Sequence, residues 1–170
     1  MRVLIDGYNL LHVAHGREET AGIGRQRFCR LLAQWSKSTG HDITVVFDGT
    51  RPPEPLAGQL HDPDVEVMYS GGGRTADDVI AERIRASSAP RRLLVVSSDR
   101  AVRRSARKRR CLQAGSPEFL ELLLTPTLPP DPKRLEPGEK QTGPSEKEAE
   151  EWMRRFGYDG KEDLCDYPEL

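Results

Sequence analysis

The chain has 170 residues, 26 Lys/Arg against 27 Asp/Glu and 36% hydrophobic residues, enough for one domain with a real core and an appendage. No apolar run approaches the ~18 residues of a membrane-spanning helix, and Met1-Arg2 leads into a strand-like run instead of a signal-peptide core, so a cytoplasmic protein with no membrane partner is expected. Residues 1–125 carry 19 Lys/Arg against 15 Asp/Glu and residues 126–170 carry 7 against 12, a basic body with an acidic tail, compatible with a nucleic-acid partner without proving one.

In chain order, the first apolar run, over 3–5, stops on Asp6-Gly7-Tyr8-Asn9, where Gly7 is expected to let the backbone turn. Phe28, Leu31, Leu32 and Trp35 follow at i, i+3, i+4, i+7, which puts them on one face of a helix. A strand over 43–47 ends in Asp48-Gly49, and one over 65–69 ends in the loop Ser70-Gly71-Gly72-Gly73-Arg74. Thr75 then caps a helix with Asp77 and Asp78 in its first turn and Val79, Ile80 and Ile84 behind them. The strand over 93–96 ends in Ser97-Ser98-Asp99, where a basic helix begins. A last strand, over 111–113, leads to a helix with Ser116 as N-cap and Pro117 as its first helical residue.

From 126 to 144 the chain is proline-rich and poor in apolar residues, a linker. Over 145–170 follows an acidic extension in which Ser145-x-x-Glu148 has the form of a capping box, and Ala149, Trp152, Met153 and Phe156 share a helical face. That helix either docks on the domain or serves a partner or the substrate. Cys29, Cys111 and Cys165 are an odd count without zinc or redox spacing, and His12, His15, His41 and His61 add no ligand pattern.

Near-continuous apolar strands alternating with helices argue for an α/β fold: a Rossmann-like three-layer sandwich around a mainly parallel sheet of about five strands, followed by the linker and short helix. In such sheets ligands gather beyond the carboxyl ends of the strands. Those ends are where the acids lie. Any single one of them reads as an ordinary helix-start residue, but clustered carboxylates repel unless a cation neutralises them. Oxygen ligands without His or Cys select Mg²⁺ or Mn²⁺, which bind phosphate oxygens and activate water for phosphodiester hydrolysis. One ion or two is left open.

Residues 100–110 hold seven Lys/Arg directly after Asp99, a stripe suited to gripping a phosphate backbone through Arg100, Arg103, Arg104 and Arg107. Arg25, Arg27 and Arg30 extend that surface. The three-glycine loop lacks the G-x-x-x-x-G-K-[ST] pattern and reads equally as a hinge or a phosphate cradle. Tyr8 either stacks on a base or packs under the rim. A haloacid-dehalogenase phosphatase would need D-x-D where Asp6-Gly7-Tyr8 stands, and a receiver domain would need a lysine where Gln113-Ala114-Gly115 stands.

The segments LIDGYNLLH, VVFDG, YSGGGRTADDVI, VVSSDRAVRRSA and AGSPEF, taken in this order over the first 125 residues, resemble the YacP-like NYN domains, a branch of the PIN-like ribonuclease superfamily. The resemblance implies a Rossmann-like nuclease with a Mg²⁺ or Mn²⁺ centre, acting on RNA as an endoribonuclease, with mRNA as substrate and the ribosome as its setting. It implies Asp6, Asp77 and Asp99 as catalytic metal ligands and Asp48 and Asp78 as supporting acids. Asn9 and Ser98 are implied as orienting or substrate-contacting groups, and Tyr8, Arg74 and the helix arginines complete the substrate-facing set. The alternative is a non-catalytic module of the same shape that binds RNA or a ribosomal partner.

Overall fold

Runs of Val, Ile and Leu form five strands: β1 (Arg2–Asp6), β2 (Asp42–Phe47), β3 (Val65–Tyr69), β4 (Leu93–Val96) and β5 (Leu112–Ala114). The computed structural model describes residues 1–60 and 62–125. All neighbouring strands are parallel, in the order β3-β2-β1-β4-β5. Between them run α1 (Gly7–His15), α2 (Arg25–Thr39), the short α3 (Leu56–Gln59), α4 (Ala76–Ala86) and α5 (Arg100–Lys108), and α6 (Ser116–Leu124) follows β5.

Alternate strand residues face opposite layers. Val3, Ile5, Val45, Phe47 and Val96 join a core with Leu10 of α1, Phe28 and Leu32 of α2 and Phe119 and Leu120 of α6. Leu4, Val46 and Val95 pack on the other side against Ile80 and Ile84 of α4 and Val102 and Ala106 of α5. Fully burying one such Leu, Ile or Phe contributes roughly 1.5–3 kcal/mol. Burial on both faces explains why the strands read as continuous apolar runs and not as alternating ones.

Two local expectations are corrected. Gly7 does not supply a free turn after β1, because α1 starts on Gly7 with Asp6 as its N-cap. What the glycine supplies is space: a Cβ there would lie 2.6 Å from Phe47 Cδ1 and 2.9 Å from the Val46 carbonyl oxygen. Ser116 is not the N-cap of α6 but its first residue, after Gly115, and its hydroxyl is used elsewhere. Thr75 caps α4 as expected, in a capping box closed by Asp78.

Cys29 and Cys111 are buried free thiols, and burial pushes the Cys29 thiol up to about 11. His61, Cys165, the proline-rich linker and the helical extension lie outside the described residues. Among the described residues no helix is long and apolar enough to cross a membrane.

Candidate active site

The chain fills β2 and β3 on one side of β1 and β4 and β5 on the other, so the carboxyl ends of β1 and β4 flank the point where the winding reverses. Asp6 closes β1 there and is 6% exposed. Its Oδ1 accepts from the Asn9 backbone N–H at 3.1 Å, and its Oδ2 accepts from Ser97 Oγ at 3.0 Å. Ser97 Oγ in turn accepts from the Asp99 backbone N–H at 3.0 Å, so one buried serine links two of the predicted acids. Asp99 caps α5 through Oδ1, which accepts from Ala101 and Val102 backbone N–H groups at 2.7 and 3.1 Å.

Across the rim, Asp48 ends β2 and accepts from the Ala76 backbone N–H at 2.6 Å, holding the start of α4 against the sheet. That bond presents Asp77, in the first turn of α4, to the other acids. Asp77 is half-buried and its carboxylate makes no hydrogen bond among the described residues. Asp78 differs. It is turned onto Thr75, accepting from that residue's backbone N–H and hydroxyl at 3.0 Å each.

Electrostatics separates the acids in the same way. Burial, and then the negative charges of Asp99, Asp6, Asp48 and Asp78, push the Asp77 carboxyl above the ordinary carboxylate range. Asp6 is raised as well, chiefly by burial, against the lowering effect of its bonds from Asn9 and Ser97, with Asp48 and Asp99 adding repulsion. The two hydrogen bonds from Thr75 hold Asp78 below its usual value. Asp6 and Asp77 therefore both feel the charges of Asp48 and Asp99, whereas Asp78 is committed to the capping box.

The donor set suits a hard divalent cation: oxygen only, with Asp77 unengaged and Asp48 and Asp99 each bonded through Oδ1 alone. Among the described residues, no three acidic, His or Cys side chains stand close enough to enclose a metal by themselves. Mg²⁺ does not require that enclosure, since it keeps several waters and binds through one or two carboxylates.

Asn9, expected to orient or contact the substrate, has partners within the chain. Its Oδ1 accepts from the Ser98 backbone N–H at 3.0 Å and from Ser116 Oγ at 2.6 Å, and Ser98 Oγ accepts from the Ser116 backbone N–H at 3.1 Å. The starts of α1, α5 and α6 are thereby tied together. Ser97 and Ser116, both 0% exposed, are the members that sequence reasoning missed. A serine at a strand end or helix start has no local pattern announcing a partner 91 or 107 residues away.

Of the substrate-facing set, Arg100, Arg103, Arg104 and Arg107 are exposed on α5, and none is in an ion pair among the described residues. Arg74 is instead paired with Glu82 of α4 at 2.5 Å. Arg109, farther along, donates to the carbonyls of Arg85 and Ser87, tying α5 to the end of α4. Tyr8 stands 39% exposed at the rim and not packed beneath it.

Residues 3–153 match the YacP-like NYN domain. Two solved structures similar to the chain are both of Rae1 (YacP) from Bacillus subtilis. One, at 21% identity, covers 74% of this chain and 74% of that one with a TM-score of 0.59. The other is a single-substitution mutant of that protein, also 21% identical, covering 74% of this chain and 75% of its own with a TM-score of 0.57. At this identity the likeness is one of fold. No curated protein matches the chain.

Proposed function

The chain belongs to the YacP-like NYN domain family, a nuclease-like family of PIN-like fold whose members generally use divalent metal ions, and from that premise we propose that it is a metal-dependent endoribonuclease. Its substrate is cytoplasmic RNA, with mRNA connected with the ribosome as the expected target. The observation that carries the reading is the placement of Asp77 at one rim with Asp6, Asp48 and Asp99: its carboxyl makes no hydrogen bond among the described residues, and it is raised first by burial and then by the charges of Asp99, Asp6 and Asp48. Such a group is stabilised by a cation more than by anything the protein offers it.

Asp6, Asp77 and Asp99, with Asp48 beside them, would share the holding of Mg²⁺ or Mn²⁺, one or two of them directly and the others through its waters. When bound, such an ion supplies an activated water and counter-charge for the leaving oxygen. The remaining work falls to the chain. Asp6 is held rigid by Asn9 and Ser97, and Ser97 fixes the Asp99 backbone, so two of the acids keep a set separation without relying on the substrate. Arg100, Arg103, Arg104 and Arg107 of α5 neutralise the RNA phosphates leading to them. Because Asn9 Oδ1 already accepts two bonds, its NH₂ group is the end left to donate to a substrate oxygen. Asp78 contributes by capping α4 and thereby fixing Asp77.

A second reading, a non-catalytic RNA- or ribosome-binding module, draws on the fact that Asp6 and Asp99 serve as helix N-caps and Asp78 closes the capping box of α4. End-labelled single-stranded RNA incubated with Mg²⁺, Mn²⁺ or EDTA decides between the two. Internal cuts that need the metal establish the nuclease; uncut RNA that is nevertheless bound, with or without translating ribosomes present, establishes the module.

A further inference from the structure

An aromatic row runs from the rim into the layer of α1 and α2. Tyr8 is the one large hydrophobic side chain exposed among the described residues. Its ring meets Phe47 in a T-shaped contact, centroids 5.3 Å apart and planes at 72°, and Phe47 lies against Tyr69 at 6.1 Å and 31°. Phe47 is fully buried, so Tyr8 is braced by a ring that cannot swing away. A T-shaped contact leaves at least one face of the Tyr8 ring uncovered by Phe47.

The start of α2 brings positive charge to the same layer. Arg25 is the half-buried first residue of α2, whose Phe28 and Leu32 share a core with Phe47 and Tyr69; its charge and that of Arg51 act on the Tyr69 phenol, which burial raises. Arg51 is paired with Glu54 at 3.1 Å, whereas Arg25 makes no salt bridge among the described residues. An open aromatic face is what a single unpaired base requires, and the guanidinium of Arg25, in the same layer, is available to a phosphate farther along the strand. Tyr8 stands two residues past Asp6, at most ~7 Å along the backbone, so a base on that ring belongs to a nucleotide adjoining the carboxylates.

We propose that Tyr8, braced by Phe47, is a stacking platform for one unpaired nucleobase beside the acidic centre. A single-stranded RNA then crosses the rim from the α1/α2 layer to the arginines of α5. This rests on the RNA reading above and deepens it, since the platform makes the substrate single-stranded at the site: in a duplex the base is already stacked and paired. Stacking is sequence-tolerant, because every base has a π-face.

Fluorescence anisotropy with a labelled single-stranded RNA in EDTA, for the full chain and its Tyr8→Leu and Tyr8→Trp variants, tests this. Leucine keeps the apolar bulk and loses the stack, so Tyr8→Leu weakens binding roughly 5- to 150-fold, the effect of a stack contributing ~1–3 kcal/mol at ~1.4 kcal/mol per tenfold. Tyr8→Trp binds at least as well as the wild type. An RNA with abasic sites throughout is bound equally by wild type and Tyr8→Leu. Wild-type affinity of Tyr8→Leu for the intact RNA overturns the platform and leaves the RNA reading standing. No binding of RNA by the wild type, with or without Mg²⁺, overturns both.

Discussion

Gly7→Ala sets two ordinary expectations against each other. Alanine is the better helix former by up to ~1 kcal/mol, so in an open helix the change would stabilise α1. Here the added Cβ would stand 2.6 Å from both Phe47 Cδ1 and Cε1 and 2.9 Å from the Val46 carbonyl oxygen. Carbon atoms prefer about 3.5–4.0 Å, so the overlap is close to 1 Å. Phe47 cannot yield, being 0% exposed and wedged between Tyr8 and Tyr69, and Val46 O is backbone in the strand paired with β1. Overpacking of this kind costs about 1–3 kcal/mol, and the helix gain offsets only part of it. The expected result is a net loss of roughly 1–2 kcal/mol, which lowers Tm by about 3–10 °C for a domain of this size. Urea unfolding should show a lower midpoint at unchanged m. A Tm equal to or above the wild type would refute the close-approach account of Gly7.

Ser116→Ala, which removes a buried hydroxyl bonded to Asn9, should cost about 1 kcal/mol. Asn9→Ala should cost more, roughly 1–3 kcal/mol, because it leaves that hydroxyl without its acceptor; urea unfolding of both and of the double variant should show costs that do not add. Replacing Arg103 and Arg104 with Ala should reduce the slope of log K against log salt for single-stranded RNA by roughly 1.4, and an unchanged slope would make α5 a merely solvated face. Asp77 has a native pKa raised above its unfolded value, so between the two the native chain binds more protons, and ionisation on raising the pH costs stability without a metal. Asp77→Asn in EDTA should therefore have a Tm that exceeds the wild type's by a margin growing from pH ~4 upward and then levelling off above the native pKa. A margin independent of pH would contradict the shift.

The sheet was legible because its signal is local. Each strand is a short run buried on both faces, and the boundaries read from sequence fall within one residue of β1, β2, β3, β4 and β5. The strand ends that gather Asp6, Asp48 and Asp99 follow from parallel topology alone. Helix α1 was not legible as a helix: its nine residues offer Leu10, Leu11 and Ala14 as the buried face, too short a period to stand out. Gly7 was misread for a related reason. A glycine after a strand suggests a turn, and only the packed ring of Phe47 reveals that the missing Cβ matters more than the backbone freedom. The Ser97 and Ser116 bonds join residues far apart in the chain, which no spacing rule reaches. Position in the first turn of α4 did not distinguish Asp77 from Asp78, which only the family resemblance ranked; the capping box gives the physical difference, turning Asp78 to Thr75 and leaving Asp77 to the rim.

Asp77→Asn is the most direct test of the metal-centred account, because that side chain makes no hydrogen bond among the described residues whose loss would confuse the result. Wild type and variant are given end-labelled single-stranded RNA with Mn²⁺, with Mg²⁺ or with EDTA, and circular dichroism confirms the fold. The account predicts internal cleavage by the wild type only with metal, and its loss in a folded Asp77→Asn that still binds RNA. Undiminished cleavage by that variant, or cleavage by the wild type in EDTA, would contradict it.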